Sequence, residues 1–443
     1  MWYYITQMDI SNIKKVYFLG IGGIGMSALA LLFMHEGKDV SGSDTGFSNR
    51  DGLVKASVPT FEGYHESHIT PDIDAVVYTL ATPEDNIELI KARKLGLPVL
   101  SYAAMLGEVS KSKKTIAICG THGKTTTTAM IAHMMIKLGL SPSVIVGSLM
   151  KYEHDGVVEK TNFIPGTSEY LVAESCEYKK SFLNINPSVV CITNIDADHL
   201  DFYGNIENII ASFKEFIAKL PPDGVVIVDM LDQNSMKAVE GCNRKVIDSR
   251  AFLDMSLGLK VPGLHNKQNA SVALAVSSYL ALKLDDAKEA LRSFGGTWRR
   301  FEHKGATKTG ALVYDDYAHH PHEIMATLNG AREAFPDKKL TVIFEPHLYS
   351  RTKEHFDEFS EVLAKYDTVY LTDIYAAREK FDGSISSGLM IETIKKNNQN
   401  AFYIPEFKDI AEKINETTNQ NDVVITMGAG TIGELADLLV HNS

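Results

Sequence analysis

Four cysteines in 443 residues leave little for a disulfide framework, and none of Cys119, Cys176, Cys191 and Cys242 forms a C-x-x-C pair. That spacing leaves zinc and thioredoxin-like readings without support. The start, MWYYITQMDISNIKK, lacks the basic region and apolar stretch of a secretion signal. Reduced thiols and a cytoplasmic location are therefore expected. Long apolar runs are missing too. The longest, near ALALLFM, falls far short of the ~20 residues a membrane helix needs, so no membrane partner is expected. Positive charge is in deficit: 44 Lys and Arg face 56 Asp and Glu, a net charge of −12. Non-specific nucleic-acid binding rests on basic surface, so no nucleic-acid partner is expected.

The rest is ordinary globular material, 44% hydrophobic and 23% charged. Its length suits about three domains. Short β-branched runs (KVYFLG, KDVSGSD, DAVVYT, LPVLSY, KTIAICG, SVIVGS, EYLVAE, SVVCITN, GVVIVD, ALVYDDY, LTVIFEP, DTVYLTD, DVVITMG) alternate with helical patterns. That alternation implies an α/β protein with parallel sheets built from β-α-β units. Polar GEVSKSKK (107–114) and glycine-interrupted FGGTWRRFEHKGATKTG (294–310) suggest breaks. The expected domains are 1–110, 111–298 and 299–443. Parallel sheets bind ligands at the carboxyl ends of their strands, so the chemistry should sit in the loops after these runs.

Two such loops are rich in glycine. Gly20-Ile21-Gly22-Gly23-Ile24-Gly25 follows a strand pattern and opens a helix, as a dinucleotide-type turn does. Asp44 ends the next strand, where an acidic residue could meet a ribose. The second loop, CGTHGKTTTT, is a shortened P-loop: Ile118 stands where the usual first glycine would, and Gly120 begins G-x-x-G-K-T. Lys124 would reach the outer phosphates and Thr125 a Mg²⁺ ion. The threonine run Thr125–Thr128 is poor helix filler and suits a polar ligand nearby. LVAESCE and CITNIDADHLD place Glu174, Asp198 and His199 past two further strands, where carboxylate and imidazole suit metal and phosphates. Late in the chain, His319, His320 and His322 lack the i, i+4 spacing of a zinc helix. Substrate contacts are the preferred reading there, with Arg351 as an anion fork and His320 and His322 as helix-start structure. Gly428-Ala429-Gly430 is a third possible anion turn.

GIGGIGMSALA, GTHGKTTTTAM, TNIDADHLDFYG, PGLHNKQNA, RRFEHKG, DDYAHHPHEI, EPHLYSRT and MGAGTI occur in the order seen in Mur ligases. The chain resembles that family from about Lys15 to Ile432. DDYAHHPHE with PHLYSRT narrows the resemblance to two branches acting on UDP-N-acetylmuramate. One adds L-alanine and the other a recycled tripeptide, L-Ala-γ-D-Glu-diaminopimelate. DHLDFYG is more similar to the alanine-adding branch.

The resemblance implies a Rossmann-like first domain that binds UDP, a central P-loop ATPase, and a Rossmann-like third domain that brings the amino acid. The first glycine loop (Gly20, Gly22, Gly23, Ile24, Gly25, with Asp44) would then hold a diphosphate and not NAD. Gly120, Thr121, His122, Gly123, Lys124, Thr125 and Thr126 would cradle ATP, with Lys124 on the γ-phosphate. Thr125 and Glu174 would hold one Mg²⁺ and His199 a second. His265 and Asn269 would lie in the nucleotide-contacting helix start, with Asn266 on the adenine. Arg300 and Asp316 would close on ATP, and Tyr317, His319 and Arg351 would line the alanine and muramoyl site. Lys124, Glu174 and His199 would be the catalytic group. The implied ligands are ATP, two Mg²⁺, UDP-N-acetylmuramate and L-alanine, on a monomer or homodimer.

The chain also departs from the family. Its frequent E-A-D-E-x-D reads ESCEYKKS, so Cys176 stands where an Asp is usual while Glu174 and Glu177 persist. A G-H pair reads Gly63-Tyr64-His65, Cys242–Val261 is short, and Lys214 sits where some relatives carry a carbamylated lysine. Two other classes compete. An NAD-dependent dehydrogenase rests on GIGGIG alone, and a non-catalytic nucleotide-binding regulator conflicts with Lys124, Thr125, Glu174 and His199 all being present.

Overall fold

The structure is a computed structural model that describes residues 10–47, 50–154, 157–377, 379–381 and 383–441. Three sheets follow one another along the chain. The first has five strands in the order Thr60–Glu62, Asp39–Asp44, Lys15–Leu19, Ala75–Tyr78, Val99–Ser101, all parallel. The second runs Lys245–Asp248, Val225–Val228, Val189–Ile192, Lys114–Cys119, Tyr170–Glu174, Ser143–His154, Val157–Ile164. Its last pair is an antiparallel hairpin and the rest is parallel. The third runs Glu302–Ala306, Leu312–Asp316, Asp422–Met427, Lys339–Phe344, Thr368–Leu371, Ala401–Tyr403, with only the first pair antiparallel. An α/β fold in three sheets is what the alternating pattern led us to expect.

Strand periodicity sorts side chains between the faces of each sheet. Val16 and Phe18 enter one core while Tyr17 and Leu19 enter another on the opposite face. In the third sheet Val342 and Phe344 pack on one side and Ile343 on the other. Both faces are apolar because helices cover both, which is why the sequence shows near-continuous β-branched runs.

By contacts the chain divides into two compact units. One holds the residues up to Gly258 with Lys267–Phe294, and the other holds Leu259–Asn266 with the residues from Gly295 onward. The first two sheets thus share a unit, and one core runs through both, from Val16 and Phe33 to Phe163, Ala173 and Phe213. The helix Leu264–Tyr279 begins in the second unit and continues in the first. No helix among the described residues is long and apolar enough to cross a membrane.

Candidate active site

The strand Lys114–Cys119 is buried from Thr115 onward and runs straight into Gly120. Gly120 has φ +129°, and a Cβ there would lie 2.1 Å from Thr193 Oγ1. Gly123 has φ +81° and caps the helix Lys124–Lys137, and a Cβ on it would lie 2.6 Å from Asn269 Oδ1. Both glycines are therefore required by conformation and by space.

The loop between them is clamped by the segment after Val189–Ile192. Asn194 Oδ1 accepts from the His122 N–H at 2.9 Å, and its Nδ2 donates to the His122 carbonyl at 3.0 Å. The Thr193 hydroxyl donates to the same carbonyl at 2.6 Å. Thr121 N–H donates to Asn194 O at 3.0 Å, and its hydroxyl accepts from Asp196 N–H at 2.8 Å. The N–H groups at a helix start over such a loop form an anion site.

Lys124 donates to the carbonyls of Gly120 at 2.5 Å and Thr121 at 3.0 Å, and to Glu177 Oε1 at 3.1 Å. Burial alone would lower its pKa. The negative groups around it, Glu177 foremost and Glu174 further off, outweigh that and push it up to about 12. It is therefore a permanently charged ammonium. Glu177 is itself buried. Its Oε2 lies 3.1 Å from Lys124 Nζ but makes no hydrogen bond of good geometry.

Glu174 ends its strand with Oε1 accepting from the Thr125 hydroxyl at 3.1 Å and Oε2 from the Gly147 N–H at 2.8 Å. His199 adopts a left-handed conformation, φ +54°. Its Nε2 is 3.9 Å from Glu177 Oε1, and its ring packs 4.6 Å from that of Tyr178. Burial would raise the Asp198 carboxyl, but neighbouring His199, with its N–H, His122 and Lys124 hold it below its ordinary value. Lys124, Thr125, Glu174 and His199, drawn from three strand ends, thus meet around one loop. The donors include the Glu174 and Glu177 carboxylates, with Glu177 Oε2 free of a well-formed hydrogen bond, and the Thr125 hydroxyl. That hard-oxygen set fits Mg²⁺. Thr127 and Thr128 are fully buried instead. Thr128 donates to the Lys124 carbonyl at 2.9 Å, and the Thr127 hydroxyl is buried without a hydrogen-bond partner. Of the run, Thr125 bonds Glu174 of the site group.

In the first sheet the glycine turn is locked by Asp44. Its Oδ2 accepts from the Gly22 N–H at 2.8 Å, and its Oδ1 from Thr45 N–H at 2.7 Å and Gly46 N–H at 3.2 Å. Gly20 has φ +83°, and a Cβ on Gly22 would sit 2.2 Å from the Gly46 carbonyl. Gly23 caps the helix that Ile24 begins, and a Cβ on Gly25 would meet the Tyr102 ring at 3.0 Å.

The second unit gathers another group. Adjacent arginines separate sharply: Arg299 is buried, with Nε donating to Asp315 Oδ2 at 2.7 Å and Nη2 to the Gly428 carbonyl at 2.7 Å. Arg300 is half-buried, 3.8 Å from Glu323 Oε1 and over the Tyr317 ring. Asp316 is buried, accepting from Phe301 N–H at 3.1 Å, Ala318 N–H at 2.9 Å and the Thr327 hydroxyl at 3.0 Å. Burial pushes its carboxyl up to about 6, against the pull of Arg300. His319 Nδ1 donates to the Tyr317 carbonyl at 3.0 Å, and burial lowers its pKa. Arg351 Nη1 donates to His347 Nδ1 at 3.2 Å, and the His347 ring stacks on Tyr375. Burial and Arg351 bring His347 down to about 4. His265 falls to about 4 through burial and Arg300. Asn266 donates its amide to the Pro262 carbonyl at 2.7 Å. Asn266 and His265 belong to the second unit and Asn269 to the first. His320 caps the helix Pro321–Ala334, as a helix-start residue should. Lys214 is exposed on the helix Ile206–Ala218, which gives carbamylation no support.

Sequence reasoning named Glu177 without giving it a role, and passed over Gly147, Thr193 and Asn194. The only trace of the last two is a Thr-Asn pair directly after an apolar strand.

Three descriptions of Mur ligases match the chain: the family's catalytic domain over 15–114, its middle domain over 118–250, and its glutamate ligase domain over 299–430. A UDP-N-acetylmuramate–L-alanine ligase of Caldanaerobacter subterraneus is 38% identical, covering 99% of both chains. One of Acetivibrio thermocellus is 39% identical, covering 99% of this chain and 98% of its own. The crystal structure of the UDP-N-acetylmuramate–alanine ligase of Thermotoga maritima is similar with a TM-score of 0.79 at 30% identity, covering 96% of this chain and 98% of that one. Matches of that extent, together with a clamped short P-loop and its acidic neighbours, make this chain a member of the Mur ligase family.

Proposed function

We infer that this chain joins L-alanine to the lactyl carboxylate of UDP-N-acetylmuramate, converting ATP to ADP and phosphate, in peptidoglycan precursor synthesis. The observation that carries the inference is the Lys124, Thr125, Glu174 and His199 group around the shortened loop, in a chain 38–39% identical along its length to ligases of that name. A dehydrogenase would leave that group idle. So would a regulator without catalysis.

In this reading the loop N–H groups and Lys124 bind the triphosphate, and Lys124 leaves its carbonyl partners for the γ-phosphate. Phosphoryl transfer to the carboxylate gives an acyl phosphate. The alanine amine attacks its carbonyl carbon, and the tetrahedral adduct collapses to amide and phosphate. Positioning and charge neutralisation supply most of the acceleration. Thr125 and Glu174 would hold one Mg²⁺ and His199 a second; bound there, magnesium neutralises phosphate charge. The Gly20–Gly25 turn would take the UDP diphosphate. Arg300 would reach ATP, Asp316 would hold the Phe301 backbone beside it, and Tyr317, His319 and Arg351 would line the acceptor site.

An acceptor screen tests the reading. Purified protein with ATP, Mg²⁺, UDP-N-acetylmuramate and L-alanine should release phosphate and form the alanyl product. Release only with the tripeptide would reassign it to the recycling reaction, and release with neither acceptor would refute both.

A further inference from the structure

The first sheet carries a buried carboxylate that the reaction above does not use. Glu88 lies on the helix Ile87–Lys94 and has no exposure to solvent. Its Oε1 accepts from the Tyr17 hydroxyl at 3.2 Å, the His65 N–H at 3.0 Å and His68 Nδ1 at 2.6 Å. Its Oε2 accepts from the Ser43 hydroxyl at 2.5 Å. A carboxylate acceptor fixes the His68 proton on Nδ1. Phe61 stacks on the His68 ring at 4.1 Å.

The location gives this network its meaning. An open parallel sheet takes its ligand at the strand ends where the order reverses. Here the reversal lies between Lys15–Leu19 and Ala75–Tyr78. Glu88 comes from the helix after the latter strand. Its partners Ser43, His65 and His68 come from the other side, so it spans the sheet beside that crevice. The 63–68 segment reaches the same edge: Gly63 N–H donates to the Asp44 carbonyl at 2.8 Å, and the Asp44 side chain holds the glycine turn.

We propose that Glu88 is a positioning residue for the nucleoside diphosphate end of the substrate, acting through His65 and His68 to hold segment 63–68 as a preformed wall of its crevice. A binding wall held before the ligand arrives avoids the ordering entropy that a loose loop would lose on binding. The proposal rests on the reading that the first sheet binds UDP.

The test compares Glu88→Ala, Glu88→Gln and His68→Gln with the parent protein. Glu88→Ala should raise KM for UDP-N-acetylmuramate and Kd for UDP about tenfold. Its kcat and its KM for ATP should stay within about twofold of the parent. Glu88→Gln keeps one acceptor oxygen for the His65 N–H, and its amide NH2 can donate to the Ser43 hydroxyl, so it should recover part of the loss. A folded Glu88→Ala with unchanged KM for the UDP substrate overturns the proposal, as does a fall in kcat alone. If Glu88→Ala does not fold, His68→Gln decides by the same split. A parent protein that neither binds UDP nor turns over would instead refute the functional reading.

Discussion

Lys124 is held charged in a nearly dry setting by Glu177, and that pairing determines how it can act. Its hydrogen bonds to Gly120 and Thr121 fold it back onto its own loop, so a phosphate oxygen would replace carbonyl acceptors with a full negative charge. Charge-assisted bonds are about twice as strong as neutral ones, which favours the exchange. Lys124→Met keeps the length and removes the charge. Its kcat/KM should fall by about a thousandfold or more, and the thermal midpoint should fall as well, because Glu177 is left buried without its cation, as phosphate release and calorimetry would show. Loss of stability without loss of turnover would mean the lysine is structural. Glu174→Gln keeps one acceptor oxygen for the Gly147 N–H, with an amide NH2 that can donate to the Thr125 hydroxyl, but removes the charge that favours a cation. It should raise the Mg²⁺ concentration giving half-maximal rate by about tenfold or more, and a titration unchanged from the parent would remove Glu174 from the metal site.

At the scale of elements, the phosphate loop works because strand and helix join through two glycines in conformations other residues avoid. Gly123→Ala would combine a left-handed φ, which costs roughly 1–2 kcal/mol without glycine, with a Cβ 2.6 Å from Asn269 Oδ1. Stability should fall by about 2 kcal/mol, and ATP affinity with it, because the helix start must shift; denaturant titration and nucleotide binding read the two separately. This junction was legible in the sequence, since a buried β-branched run, paired glycines and Lys-Thr carry their geometry locally. All thirteen β-branched runs became strands for the same reason. Short edge strands such as Thr60–Glu62, Lys245–Asp248 and Ala401–Tyr403 escaped notice, because one neighbour and partial exposure impose no apolar pattern. Long-range partners were hidden as well. Nothing near Gly147 announces that its N–H will meet a carboxylate 27 residues away, and nothing in RR separates a buried Arg299 from a half-buried Arg300. Such roles arise only when sheets assemble.

For the whole molecule, the sequence suggests three domains, while contacts join the first two sheets in one unit. Two consequences follow. The second unit carries two imidazoles, His265 and His347, kept neutral down to about pH 4. In the unfolded chain they take up protons near pH 6.5. Below that value the unfolded state binds more protons, so the stabilisation is complete above pH 6.5 and is lost as pH falls toward 4. His265 alone corresponds to about 3 kcal/mol across that window. Hydrogen exchange of the strand Asp422–Met427 should show its opening free energy shrinking between pH 6.5 and 4, less so in His265→Gln. The first unit behaves differently because one core serves both of its sheets. Asn162, fully buried on the hairpin of the second sheet, donates to Ile24 O at 2.5 Å and to Ser27 Oγ at 2.8 Å in the first helix. Asn162→Ala removes both donations, leaving the Ile24 carbonyl only its bond from the Ser27 hydroxyl at 3.1 Å, and should lower stability by about 1–3 kcal/mol. If the sheets unfold as one body, amides of Lys15–Leu19 and of Lys114–Cys119 lose that amount together. If the first sheet opens alone, only its own strands lose protection, and the shared core is not a cooperative unit.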